Sequence, residues 1–179
     1  MLDSYVAKPL GRRQIDQAFP IVQTIAPDLG MERWRAFAAA VITAGDVGAK
    51  PDSGASRPRG IMTVQNPRGY IHGLFSYMVQ ENLRHGRVLS VDNFIVLDLF
   101  DLAGAAEALL DAMDRTAAAL GCKAIHTSLP DNYSSLPEYC NWLVGCFRES
   151  GHTVETLRLC KRFTETGGPA PLPPANDLE

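Results

Sequence analysis

A chain of 179 residues is long enough to bury one sizeable core, and 46% apolar with 21% charged residues is ordinary for a soluble globular domain. The formal net charge of −3 gives no broad attraction to nucleic acid or to an anionic membrane surface, and so excludes partners bound by bulk charge. The longest apolar run, residues 36–44, is too short to span a bilayer, and the first residues, MLDSYVAKPLGRR, lack the order of a signal peptide, so a cytoplasmic location with no membrane partner is expected.

Along the chain, Ile15, Phe19, Val22 and Ile25 share one face of a helix over 12–25, which Pro20 should bend or start. Asp28 can cap a second helix with the apolar stripe Trp34, Phe37, Ala38, Val41 and Ile42. GDVGAKPDSGASRPRG follows, a long Gly/Pro/Ser loop without core residues. RGIMTVQ and YIHGLFSYMVQE read as strands joined by a turn at Asn66-Pro67-Arg68-Gly69, and 87–98 adds a third strand to an antiparallel meander. DLAGAA is a tight turn, and a helix then buries Leu102, Ala106, Leu109, Leu110, Met113, Ala117 and Leu120 and stops at Gly121. A strand over 123–129 comes next. A last helix starts near Ser135 with Pro137 and Glu138 in its first turn, and buries Leu136, Tyr139, Cys140, Leu143, Val144 and Phe147. HTVETLRLCKRF is a closing strand. Residues 1–164 are expected to form a single domain, and the Pro/Gly-rich tail 165–179 to be extended or disordered. A strand, Gly-containing turn, helix and strand over 87–130 put a helix N-terminus beside a strand end, an arrangement that can hold a phosphate.

The order helix, helix, three-strand meander, helix, strand, helix, strand resembles the GNAT N-acetyltransferase superfamily over about residues 12–163. The resemblance implies an α/β (α+β) fold: a mixed, mostly antiparallel sheet of six or seven strands flanked by helices, with the strands around residue 98 and 123–129 parallel. It implies acetyl-CoA as co-substrate and an amine on a small molecule or protein as acceptor. In that family a Q/R-x-x-G-x-G/A turn holds the pyrophosphate through backbone N–H groups. Here Asp101-Leu102-Ala103-Gly104-Ala105-Ala106 matches it, with Gly104 and Ala106 at the two small positions. Asp101 departs from the pattern, because a carboxylate there repels a pyrophosphate or caps the helix. Phe94, Ile95 and Val96 match the strand that pairs with the pantetheine arm, and Asn132 follows the fifth strand where the family often has an Asn. The position of the family's acidic Tyr, four before Gly151, holds Phe147, which has no proton to give. Tyr139 and Tyr133 are substitutes off that position.

Asp92, inside the central strand, is either a general base for the amine or a carboxylate bonded to a neighbouring loop. His72 and His126, in strands, are more ordinarily half-buried side chains than catalysts. Arg57, Arg59 and Arg68 near two turns either guide an anion or keep the loop tips soluble. Trp34 and Trp142 read as core. The four cysteines have no C-x-x-C spacing and read as reduced small side chains, with no metal. Asp101 and Phe147 support a rival, a non-catalytic ligand- or protein-binding module, and the closing strand and apolar helix stripes leave room for a homodimer.

Overall fold

The computed structural model describes residues 5–46, 57–129 and 137–155. One sheet runs in the order β1 (Val6–Pro9), β2 (Arg59–Gln65), β3 (Ile71–Asn82), β4 (Gly86–Val96) and β5 (Ala124–Thr127). The first four strands are antiparallel neighbours, while β5 runs parallel to β4. The crossover between those two is α3 (Leu102–Ala119), as a helical connection requires. The other helices are α1 (Ile15–Gln23), α2 (Met31–Asp46) and α4 (Pro137–Glu149). The sheet is thus mixed and mostly antiparallel, as the sequence predicts.

Three elements differ from expectation. Strand β1 was not foreseen, because VAKP has no period-two pattern and ends in Pro. It forms as an edge strand, where a missing N–H is tolerated, by pairing Val6–Pro9 with Gln65–Met62. Helix α1 follows a 3-10 turn at Arg12–Gln14 and runs through Pro20, with Ala18, Phe19, Ile21 and Val22 buried. The sheet has five strands among the described residues rather than six or seven. The expected closing strand falls on residues 152–155, which are irregular, and on residues beyond them that lie outside the described ones. Ser135, Leu136 and the tail lie outside them too.

The sheet separates two cores. On one face Phe75, Val79, Leu89, Val91 and Phe94 meet Leu109 and Met113 of α3 and Leu143 and Phe147 of α4. On the other, Ile61, Leu74 and Ile95 meet Phe19 and Val22 of α1 and Trp34, Ala38 and Val41 of α2. The i, i+3, i+4 spacing of the helices thus meets the alternation of the strands on both sides.

Strand β4 carries an irregularity that matters for the site. Leu74 pairs with Ile95 and Ser76 with Asp92, so β4 spends one residue more than β3 across this step. The extra residue is a β-bulge, and within it Asn93 has φ 57°, a left-handed conformation that asparagine adopts more readily than most residues. The ladder to β5 spans Val88–Val91 and ends there, just short of the bulge.

Candidate functional site

The turn between β4 and α3 is built on two aspartates. The Asp98 side chain is 2% exposed. Its Oδ1 accepts the N–H groups of Phe100 (2.6 Å) and Asp101 (2.8 Å), and its Oδ2 accepts the Tyr5 hydroxyl (2.6 Å) and lies 2.6 Å from His72 Nδ1. Burial alone would raise its pKa. The Tyr5 hydroxyl, the two backbone N–H groups and His72 outweigh burial and hold the carboxyl below its ordinary value. His72 Nε2 is buried without a hydrogen-bond partner. Asp101 is the N-cap of α3, its Oδ1 accepting the Gly104 N–H at 2.9 Å. A Cβ on Gly104 would run into that same carboxylate. The space over Gly104, where a phosphate would approach the backbone, is therefore held by Asp101.

The strand residues Phe94, Ile95 and Val96 are all buried and lie past the bulge, where the β4–β5 ladder has ended. Tyr139 of α4 donates its hydroxyl to the Val96 carbonyl at 2.7 Å, so this phenol stands at the end of that strand. Phe147 is 5% exposed and packs edge-on against Phe94 at 4.8 Å between ring centres. It fills core space. Leu102, Ala103, Gly104, Ala105 and Ala106 form the first turn of α3, and Ala105 and Ala106 are fully buried under it. Asn132 lies outside the described residues.

Asp92 is half-buried and faces Ser76 across the β3–β4 ladder, which places both on the α1–α2 side of the sheet. Ser76 Oγ donates to the Asp92 carbonyl (3.0 Å) and accepts from Asn93 Nδ2 (2.9 Å). On this side a cavity of about 260 Å³ opens between the sheet and α1–α2. Ser76, Asn93, Leu74 and Ile95 form its floor, and Trp34 and Phe37 part of its roof. The bulge therefore sets Asn93 and Ile95 on the cavity floor, while Asp92 is not among the residues that line it and Phe94 and Val96 pack into the core on the other face.

Other polar residues go elsewhere. His126 Nε2 is 2.9 Å from His85 Nδ1, and His85 Nε2 is 3.6 Å from Glu155. Arg57 and Arg68 are exposed, and Arg59 is half-buried. Burial raises the pKa of the Cys122 and Cys146 thiols. No group of three or more His, Cys, Asp or Glu side chains able to hold a metal occurs among the described residues. No helix there is long and apolar enough to cross a membrane. Sequence reasoning passed over Asp98 and Tyr5. The Asp98-Leu99-Phe100-Asp101 spacing is a legible local signal, since an aspartate readily accepts N–H groups two and three residues on. The Tyr5 and His72 contacts, at long sequence separation, leave no such trace.

No model of a known family matches the chain, and no curated protein does. Solved structures do. One is a transcriptional regulator from Bacillus halodurans (TM-score 0.64, 12% identity, 89% of this chain and 99% of that one). Another is the aminoglycoside N-acetyltransferase AAC(6')-Iy in complex with CoA (0.63, 12%, 92% and 97%). A third is a GNAT family acetyltransferase from Staphylococcus aureus (0.59, 12%, 89% and 99%). A meander ending in a bulged strand, the α3 crossover to a parallel fifth strand, and this likeness along nearly the whole length of each neighbour give the chain the GNAT fold.

Proposed function

We propose that this protein is an acyltransferase that moves an acetyl group from acetyl-CoA to an amine. The observation that carries the reading is the bulge in β4. It ends the β5 ladder beside Phe94, Ile95 and Val96 and opens the opposite side of the same strand to a cavity. Bound there, acetyl-CoA would supply an acyl carbon activated by its bond to sulfur. The backbone of Phe94–Val96 would position the donor's arm and polarise the acyl carbonyl. Asp92, on the same face of the sheet as the cavity though not among its lining residues, would take the proton that the attacking amine loses as the N–C bond forms. The Tyr139 hydroxyl, now on the Val96 carbonyl, would turn to protonate the sulfur as the C–S bond breaks. Soluble small molecules and protein amines both remain acceptor candidates, and the cytoplasm is the expected compartment.

A second reading is supported by two residues. Asp101 occupies the Gly104 N–H that a pyrophosphate needs, and Phe147 stands in place of an acid. Both fit a binding module of the same fold that has given up catalysis. That one neighbour is described as a transcriptional regulator suits this reading.

Thermal unfolding with acetyl-CoA, CoA and inorganic phosphate separates the two. A ligand bound only by the native state must raise Tm, so acetyl-CoA and CoA are expected to raise it and phosphate not. No shift at saturating nucleotide overturns the transferase reading. Asp101→Gln refines the test. It removes a cap, at a cost of about 1 kcal/mol in stability. It also frees the Gly104 N–H and deletes a negative charge, so CoA affinity is expected to rise a few-fold, more at low salt. Calorimetric titration of both proteins at two salt concentrations reads this. Equal or weaker binding by the variant means the phosphates lie elsewhere.

A further inference from the structure

Resting on the acyltransferase reading, we infer the chemical class of the acceptor: a primary amine at one end of a flat apolar body, with a carboxylate at the other. The cavity beside the bulge fixes each part. At about 260 Å³ it falls just below the usual range for drug-sized ligands, so it suits a body of one ring rather than a polypeptide segment or an oligosaccharide. Its walls are almost wholly apolar. Trp34 and Phe37 form a tilted aromatic pair, 6.1 Å between centres, and Leu29, Leu74 and Ile95 close the space around them. Such walls reward a flat hydrocarbon surface and give a polyamine or polyol nothing to bond.

The polar groups sit on opposite walls. Asn93 belongs to the strand floor, at the bulge and next to Ile95 of the donor segment. One Nδ2 hydrogen bond holds its side chain on Ser76. Its carbonyl oxygen is an acceptor suited to an amine N–H, which makes Asn93 a positioning residue for the nucleophile. Arg33 belongs to the helix wall. Its neighbour Arg35 is neutralised by Asp16 at 2.8 Å and Glu32 at 2.7 Å, whereas Arg33 has no ion-pair partner among the described residues. An exposed guanidinium beside an apolar cavity that holds no carboxylate of its own selects an anion, and its planar fork matches a carboxylate. The lining carries no acidic side chain among the described residues, so nothing in it favours a polycation.

The test uses the full chain without nucleotide, because the cavity is formed by the fold alone. Trp34 lines it, so tryptophan fluorescence reports filling. Para-(aminomethyl)benzoate carries amine, ring and carboxylate in the required order. Benzylamine lacks only the carboxylate, and spermidine is the polycation. The benzoate is expected to give a saturable change and to bind at least about ten-fold tighter than benzylamine, with spermidine silent. Arg33→Gln, an exposed substitution that should fold, is expected to erase the difference between the two ring amines. Ala26→Phe, which fills the cavity, is expected to weaken both. Equal binding of benzoate and benzylamine, tighter binding of spermidine, a preference that survives Arg33→Gln, or no saturable response overturns the assignment. Any of these together with a Tm shift by acetyl-CoA leaves the transferase reading standing, while amine binding without that shift overturns the transferase reading and with it the ligand's role as acceptor, leaving only the class of ligand the cavity takes.

Discussion

Asp98→Ala is expected to cost about 3–5 kcal/mol of stability, a large share of what a domain of this size has. The side chain is 2% exposed, and its removal strands the Tyr5 hydroxyl, His72 Nδ1 and the N–H groups of Phe100 and Asp101. The Tyr5 and Asp101 donors are part-buried, and such donors left without an acceptor cost more than the bonds were worth in the first place, while the exposed Phe100 N–H can turn to solvent. Asp98→Asn keeps one acceptor oxygen and should lose less. Asp16→Ala removes an exposed partner of Arg35, and its midpoint in denaturant should match wild type within error. The acid limb tests the same contact. Because the folded pKa of Asp98 is depressed, its contribution is fully present above the unfolded value of about 3.8 and is lost as pH falls through the lower folded value. Denaturant unfolding of wild type and Asp98→Asn should therefore differ most near neutrality and converge below about pH 4. A constant difference down to the acid limit would mean that the carboxylate charge is not what holds this turn.

Gly73→Ala is expected to cost about 3 kcal/mol, near the top of the range for overpacking by one carbon. A Cβ there would lie 2.6 Å from the Ile95 carbonyl oxygen, 2.8 Å from Leu109 Cδ1 and 3.2 Å from Val64 Cγ1. Leu109 can change rotamer. The carbonyl is backbone, so relief requires β4 to move away from β3 just past the bulge. The movement lands on Ile95 and Val96, and the response of Tm to acetyl-CoA should shrink along with stability. Gly145→Ala is the opposite case. Nothing lies within 4 Å of its Cβ and it is inside α4, so up to about 1 kcal/mol should be gained. If both variants unfold at the wild-type midpoint, the close contact of β3 with β4 and α3 at Gly73 is wrong.

The sequence alone determined the layers of this molecule. The stripe of α3 from Leu102 to Ala117, its stop at Gly121 and the alternation of β2 and β3 are local patterns, each readable within a dozen residues. The parallel pairing of β4 with β5 followed from the helix between them, and the cap by Asp101 from its place before α3. Tertiary structure decided the rest. Strand β1 exists because Gln65–Met62 offers it an edge, not because VAKP has a pattern. Asp92 and Asn93 are adjacent in sequence and equally polar. Only the extra residue in the β3–β4 register, with the left-handed turn at Asn93, settles which of them lines the cavity. Tyr5 and His72 reach Asp98 from two other strands' ends, across separations that no periodicity encodes. Patterns of three or four residues record which face is buried. Which polar groups then meet is fixed by register and by the packing of distant elements, and the chemistry of this site rests on those meetings.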